Sequence, residues 1–198
     1  MAVCEILRKF APTINRYYCM STIQIKDKSF TTFLPEEKIL KEVSRVADEI
    51  NRDLDGKKPL FLSVLNGSFM FTADLMKHVT IPCEISFVKM ASYEGTESTG
   101  KIKQLIGLNS DIKDRTVVIV EDIVDTGRTM VKMLEMLRAY QPKEIRIATL
   151  LVKPGKLEVD LPLDYVAMSI PDDFIVGYGL DYDELGRNYR DIYTVVKE

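Results

Sequence analysis

The chain has 198 residues, of which 46% are hydrophobic and 29% are charged, as in an ordinary globular protein. This length suits one α/β domain with a small appended lobe, and no apolar run approaches the roughly 20 residues that a bilayer-spanning helix needs. The net charge of −3 argues against nucleic acid as a main partner. Cys4, Cys19 and Cys83 form no Cys-x-x-Cys pair, which disfavours a zinc site or a disulfide framework and favours a reducing cytoplasm.

Residues 1–19 form the first segment of the chain. They carry Arg8, Lys9 and Arg16 against Glu5 and lack the continuous apolar core of a signal peptide. We therefore expect a peripheral tail over residues 1–19 and a single domain over residues 20–198.

The segment from Pro35 to Leu54 has helical periodicity, with Pro35 well placed in the first turn. Gly56 can end this helix, and Leu60 to Leu65 then predicts the first buried strand. The apolar stripe of the helix consists of Ile39, Leu40, Val43, Val46, Ala47, Ile50 and Leu54.

A loop, Asn66-Gly67-Ser68, joins this strand to a helix predicted from Phe69 to Met76. Gly67 allows the backbone to approach an anion closely. An Asn-Gly turn is also common for purely conformational reasons, so the loop alone is a weak indication of a site.

The next strand is predicted from Ile81 to Met90 and is followed by a polar segment with Gly95 and Gly100. By composition alone, this polar segment indicates an exposed connection between two strands.

Residues 117–129 are the most informative part of the chain. The unbroken β-branched run from Val117 to Val120 predicts a buried parallel strand. Glu121, Asp122 and Asp125 follow it, and the turn over residues 126–129 opens a helix. Such a turn favours an anion, because unpaired backbone N–H groups and the helix dipole both point at it. The carboxylates cannot bind phosphate directly, which suggests that they hold ribose hydroxyls, Mg²⁺ or a proton in transit.

The helix after this turn is amphipathic, and Pro142 blocks its continuation. Ile145 to Val152 supplies another strand, so residues 115–152 predict one strand–helix–strand unit with a right-handed, parallel crossover. The apolar stripe of the helix consists of Met130, Met133, Leu134 and Leu137.

The string Glu-Asp-Ile-Val-Asp-Thr-Gly-Arg-Thr at residues 121–129 closely resembles the signature of type I phosphoribosyltransferases, in the version of their hypoxanthine/guanine branch. The resemblance extends over roughly residues 31–196. It implies a parallel central sheet flanked by helices, with a small hood lobe of the N-terminal segment and C-terminal strands. It also implies Mg²⁺-dependent transfer of the 5-phosphoribosyl group from phosphoribosyl pyrophosphate (PRPP) to a 6-oxo purine, hypoxanthine or guanine, which yields the nucleotide and pyrophosphate.

The resemblance gives roles to the residues of the signature. It implies that Glu121 and Asp122 hold the ribose hydroxyls and Mg²⁺, and that Asp125 accepts the proton from purine N7. Adjacent strand residues point in opposite directions, so both Glu121 and Asp122 can engage only where the strand has begun to turn. The 5′-phosphate would be bound by Asp125, Thr126, Gly127, Arg128 and Thr129.

Other motifs of the resemblance imply a purine site. Lys153 would donate to the 6-oxo group, which adenine lacks. Phe174 would stack on the purine, and the backbone of Ile175 would contact its edge. Ser92 and Tyr93 resemble a lid that excludes water from an oxocarbenium-like transition state.

The pyrophosphate site implied by the resemblance consists of Leu65, Asn66, Gly67 and Arg187, and Asp181 would help to hold Mg²⁺. Members of the family usually carry Lys or Arg where this chain has Asn66, so here the loop would bind mainly through backbone N–H groups. The resemblance further implies a cis peptide bond between Leu65 and Asn66.

Two alternatives stay open at this stage. One is a regulator that kept the fold and binds RNA or DNA, which the acidic net charge disfavours. The other is a transferase directed at xanthine or a pyrimidine. The expected partners are PRPP, a 6-oxo purine base, pyrophosphate and further copies of the chain in a homodimer or homotetramer, without nucleic acid or membrane.

Overall fold

The computed structural model describes residues 21–92, 102–108 and 111–196, so the expected tail over residues 1–19 lies outside the described residues. The described residues form two β-sheets with helices packed against the larger one. In chain order the elements are β1 (Thr22–Ile25), β2 (Lys28–Leu34), α1 (Glu36–Asp53), β3 (Leu60–Val64), α2 (Phe69–His78), β4 (Glu84–Ser92), β5 (Ile102–Ile106), β6 (Thr116–Val124), α3 (Arg128–Arg138), β7 (Glu144–Val152), a short 3-10 helix (Pro154–Lys156), β8 (Tyr165–Ser169), β9 (Ile175–Val176) and β10 (Ile192–Val195).

The larger sheet has six strands in the order β5-β4-β3-β6-β7-β8. Strands β4, β3, β6, β7 and β8 run parallel, and β5 is antiparallel to β4 at the edge. The carboxyl ends of the parallel strands therefore meet at one edge, which is where open α/β sheets bind ligands. The predicted parallel central sheet is confirmed.

Helices cover both faces of this sheet, because alternate residues of its strands point to opposite sides. Val118 and Val120 of β6 join a core with α1 and α2, whereas Val117 and Ile119 join a core with α3. The stripe predicted for α3 is buried at all four positions. In the stripe predicted for α1, only Leu40 is not fully buried.

Two predicted strand boundaries are wrong. Strand β6 continues through Glu121 and Asp122 to Val124, because its pairing with β7 persists beyond the apolar run. Strand β4 begins at Glu84 rather than Ile81, since Pro82 lacks an N–H for the ladder and pairing with β3 starts at Glu84.

The smaller sheet has the order β1-β2-β10-β9, so it joins the N-terminal segment to the C-terminal strands as the hood prediction required. Its core contains Ile25, Phe30, Val176 and Tyr193. None of the helices in the described part of the chain combines the length and apolarity that crossing a bilayer requires.

Candidate active site

The turn between β6 and α3 has a backbone conformation and packing that require glycine at position 127. Gly127 adopts a left-handed φ of 79° at the N-cap of α3, and a Cβ there would lie 2.6 Å from Val159 Cγ2. The backbone N–H of Arg128 donates to Thr126 Oγ1 at 3.4 Å. The turn borders a cavity of about 140 Å³, lined by Glu121, Ile123, Val124, Asp125, Thr126, Gly127, Thr129, Met130 and Met133.

The side chain of Arg128 forms an ion pair with Glu158 and is otherwise largely exposed. In this arrangement its contribution to an anion in the turn would come from its backbone N–H group. The first turn of α3 thus offers amide donors and a helix dipole rather than a guanidinium.

Glu121 and Asp122 are adjacent residues near the end of β6 and have different neighbours. Glu121 lines the cavity beside α3, whereas Asp122 packs against Gly67, where a Cβ would lie 1.6 Å from Asp122 Oδ2. Burial raises the pKa of Glu121 well above its ordinary value, and the charge of Asp122 raises it further. Burial also raises the pKa of Asp122, partly offset by hydrogen bonds from Glu121 and from the N–H of Ile123, and by the charge of Arg187.

Asp125 has one oxygen engaged and one free. Its Oδ2 lies 3.5 Å from Lys156 Nζ. Its Oδ1 is buried and, among the described residues, has no hydrogen-bond partner. Since buried polar atoms normally find a partner, this oxygen is a candidate acceptor for a donor on a ligand.

Lys153 and Phe174 are the candidate purine-binding residues. Lys153 is only 7% exposed, and its Nζ donates to the Asp173 carbonyl at 2.9 Å and lies 3.3 Å from Asp172 Oδ1. Phe174 is 46% exposed and precedes Ile175, which is buried in β9.

The ring of Phe174 belongs to an aromatic cluster of the hood. It packs edge-on against Tyr182, with 5.7 Å between ring centroids, and in a tilted arrangement against Phe30, with 6.2 Å between ring centroids. Phe174 is therefore packed against two aromatic rings while much of its side chain stays exposed, as stacking on a flat ligand requires.

The loop after β3 contains a cis peptide bond between Leu65 and Asn66, as expected. Asn66 is exposed, whereas the residues beneath it are held by a buried hydroxyl network. Ser63 Oγ lies 2.7 Å from Ser68 Oγ and 2.8 Å from Thr72 Oγ1, and Ser68 donates to the Val64 carbonyl at 2.6 Å.

Arg187 and Asp181 are paired in the hood. Arg187 lies 2.8 Å from Asp181 Oδ1 and 3.3 Å from Glu184 Oε2, and it donates to the Gly179 carbonyl at 2.9 Å. Gly179 in turn rests on Gly67, because a Cβ on Gly179 would lie 2.0 Å from the Gly67 carbonyl oxygen. Arg187 is thus adjacent to the predicted pyrophosphate loop, with its guanidinium already engaged by hood residues.

The structure brings most predicted site residues to the carboxyl edge of the larger sheet. The predicted lid cannot be compared, since Tyr93 and the residues up to 101 lie outside the described residues and only the backbone of Ser92 is described, at the end of β4. Four further residues that contact the site were not predicted from the sequence: Lys156, Asp172, Tyr182 and Phe30. For Lys156 the sequence offered a signal, because Lys153 and Lys156 flank a Pro-Gly turn.

A transferase that forms nucleotides needs a turn that binds an anion, carboxylates beside it and an exposed aromatic ring, and this edge of the sheet has all three. The family model of the phosphoribosyl transferase domain matches residues 29–183, and the chain belongs to that family.

Within the family, the chain is similar to two curated bacterial enzymes. It is 42% identical to the hypoxanthine-guanine phosphoribosyltransferase of Streptococcus mutans over 158 residues, 79% of this chain and 86% of the relative. It is 41% identical to the hypoxanthine phosphoribosyltransferase of Salmonella typhimurium over 167 residues, 82% of this chain and 93% of the relative.

Solved structures of phosphoribosyltransferases are also similar to this chain. A hypoxanthine-guanine phosphoribosyltransferase from Bacillus anthracis superposes with a TM-score of 0.75 at 38% identity, covering 84% of this chain and 96% of the other. A hypoxanthine phosphoribosyltransferase from Staphylococcus aureus gives 0.75 at 39% identity, covering 83% and 90%.

Proposed function

We propose that the protein is a purine-salvage enzyme that transfers the 5-phosphoribosyl group of PRPP to hypoxanthine, and also to guanine. The products are IMP or GMP and pyrophosphate. The observation that carries this proposal is the position of Asp125. Its Oδ1 is buried and has no partner among the described residues, and Lys156 links its other oxygen, Oδ2, through Asp172 to Lys153, the candidate base-reading residue.

In the proposed reaction, the bond between ribose C1′ and the pyrophosphate oxygen breaks and a bond from C1′ to purine N9 forms. The turn at residues 126–129 holds the 5′-phosphate, and Glu121 and Asp122 hold the ribose hydroxyls. Asp125 accepts the proton that the purine loses at N7, a role that suits a carboxylate with a free oxygen.

Base selection in this proposal depends on Lys153, whose ammonium group can donate hydrogen bonds but cannot accept them. It would donate to the 6-oxo oxygen of hypoxanthine or guanine and would face the 6-amino group of adenine unfavourably. The exposed ring of Phe174 would stack on the base, and the backbone of Ile175 would contact the purine edge.

Mg²⁺ is part of the proposal, with Asp181, Glu121 and Asp122 as its candidate protein ligands. Carboxylate oxygens are the donors that this hard cation prefers. In the part of the chain that the structure describes, no three acidic, histidine or cysteine side chains converge on one point. We expect one or two of these three carboxylates, together with substrate oxygens, to hold the cation, which when bound would neutralise charge on the departing pyrophosphate.

The test is turnover of free bases by the purified protein with PRPP and Mg²⁺, with the products separated by chromatography. We expect nucleotide from hypoxanthine and guanine and none from adenine. Nucleotide from xanthine or uracil alone would assign the protein to a differently directed transferase. The absence of nucleotide from every base would contradict the enzyme proposal and favour a regulator.

We also propose that copies of the chain associate into a homodimer or homotetramer. On β4, Ile85 is 42% and Phe87 is 44% exposed, and Phe69 at the start of α2 is 40% exposed. Pairing with β3 puts Ile85 and Phe87 on the sheet face that α2 covers, and exposed apolar side chains of this size often mark protein interfaces. Light scattering should give a dimer or tetramer mass that Phe87→Glu lowers, and a monomeric parent protein would refute the assembly.

A cytoplasmic location completes the proposal. Cys83 is a free thiol, as suits a reducing compartment. Fractionation of cells that express the protein should recover it with cytoplasmic markers.

A further inference from the structure

Four charged side chains form a chain from the base side of the site to the phosphate side. Lys153 Nζ lies 3.3 Å from Asp172 Oδ1, and Lys156 Nζ lies 3.0 Å from the same oxygen. Lys156 Nζ also lies 3.5 Å from Asp125 Oδ2. One oxygen of Asp172 is thus shared by two ammonium groups, one of which reaches Asp125.

Lys156 is positioned by its place in the fold. It ends the short 3-10 helix that follows β7, and its N–H donates to the Lys153 carbonyl at 2.9 Å. This compact turn directs two lysines of the same loop toward the same carboxylate. The hydrogen bond to Asp172, and then the charge of Asp125, raise the pKa of Lys156, so it stays cationic.

The effect on Asp125 follows from which oxygen is engaged. Lys156 occupies Oδ2 and leaves Oδ1, the buried oxygen without a partner among the described residues. A carboxylate fixed at one oxygen has less rotational freedom, so its other oxygen is held in a defined direction.

We propose that Lys156, anchored by Asp172, is a positioning residue that orients Asp125 for proton acceptance. This inference rests on the function proposed above. It also connects the two halves of the site. One oxygen of Asp172 contacts both Lys153, on the base side, and Lys156, which lies beside Asp125.

The test compares Lys156→Gln and Lys156→Arg with the parent protein, using initial rates with hypoxanthine and PRPP. Lys156→Gln should lower kcat roughly tenfold and leave the KM for PRPP within about a factor of two, because the substrate contacts are unchanged. Lys156→Arg should restore most of kcat, since a guanidinium can still bridge two carboxylates. Lys143→Gln removes a lysine charge at the start of β7, the opposite end of that strand, and should leave the rate unchanged.

A double-mutant cycle identifies the residue through which Lys156 acts. In an Asp125→Asn background, Lys156→Gln should cause no further loss of kcat, because the carboxylate it orients is gone. A full additional loss in that background would overturn the proposal. So would an unchanged kcat in the single variant, or a higher KM for PRPP at unchanged kcat, which would mean a direct phosphate contact. A parent protein that makes no IMP would instead refute the proposed function, a result distinct from all of these.

Discussion

Gly67→Ala tests whether the loop after β3 and the carboxylate of Asp122 form one unit. The added Cβ would lie 1.6 Å from Asp122 Oδ2 and 2.5 Å from its Cγ. Rotation of the carboxylate alone cannot relieve contact with Cγ, and Asp122 Oδ1 accepts a hydrogen bond from Ile123 N–H at 2.9 Å. Asp122 or the loop backbone must therefore move.

Overpacking of this kind typically costs about 1–3 kcal/mol. Where the displacement removes Asp122 from the PRPP site, the same range corresponds to roughly a 5- to 150-fold lower kcat/KM for PRPP. The assay is the initial rate of IMP formation from hypoxanthine at varied PRPP, together with thermal unfolding.

Gly155→Ala provides a matched control, because a Cβ at Gly155 would meet nothing within 4 Å. It should keep the parent kcat/KM and unfolding temperature. A Gly67→Ala variant that matched this control in both measurements would refute the reasoning.

Five further substitutions test individual roles. Asp125→Asn should lower kcat roughly 10²–10⁴-fold in IMP formation and leave PRPP affinity, measured by calorimetry, nearly intact; equal turnover would rule out proton acceptance. Lys153→Gln should raise the KM for hypoxanthine roughly tenfold or more and leave the KM for PRPP unchanged. A higher KM for PRPP with an unchanged KM for hypoxanthine would place Lys153 in the PRPP subsite instead of the purine subsite. Arg187→Ala should weaken pyrophosphate binding strongly in a titration and Asn66→Ala only mildly, and reversed magnitudes would give the main role to Asn66. Glu121→Gln should unfold at a higher temperature than the parent at pH 8, because the raised pKa of Glu121 makes its ionised form unfavourable in the fold. The stability that protonated Glu121 contributes is fully present below its unfolded pKa and is lost as pH rises through the raised folded pKa. The higher unfolding temperature of Glu121→Gln should therefore vanish below about pH 4. A difference in unfolding temperature that did not change with pH would contradict the raised pKa of Glu121 as its cause.

The elements predicted best are those in which apolar, buried residues recur at a regular spacing along the sequence. Met130, Met133, Leu134 and Leu137 recur at helical spacing, and all four are buried in α3. The end of β6 was missed because Glu121 and Asp122 interrupt the apolar run, although backbone pairing with β7 does not depend on side-chain polarity.

The contacts around the site depend on residues far apart in sequence, which local patterns do not report. Phe30 supports Phe174 from a strand at the other end of the described chain, and Asp172 joins Lys153 and Lys156 across two elements. Residue types indicated the chemistry of the site, whereas tertiary packing decides which partner each charge meets.

The strand order β1-β2-β10-β9 has a consequence for biogenesis. Strand β2 is made long before its partner β10, the last of the described strands, so their pairing must wait until the intervening elements have been made. Phe174 likewise gains its support from Phe30 only at that stage. During translation, the strands of the larger sheet can pair while the base side of the site remains unformed, and competence to bind a purine therefore arises only after β10 has been made.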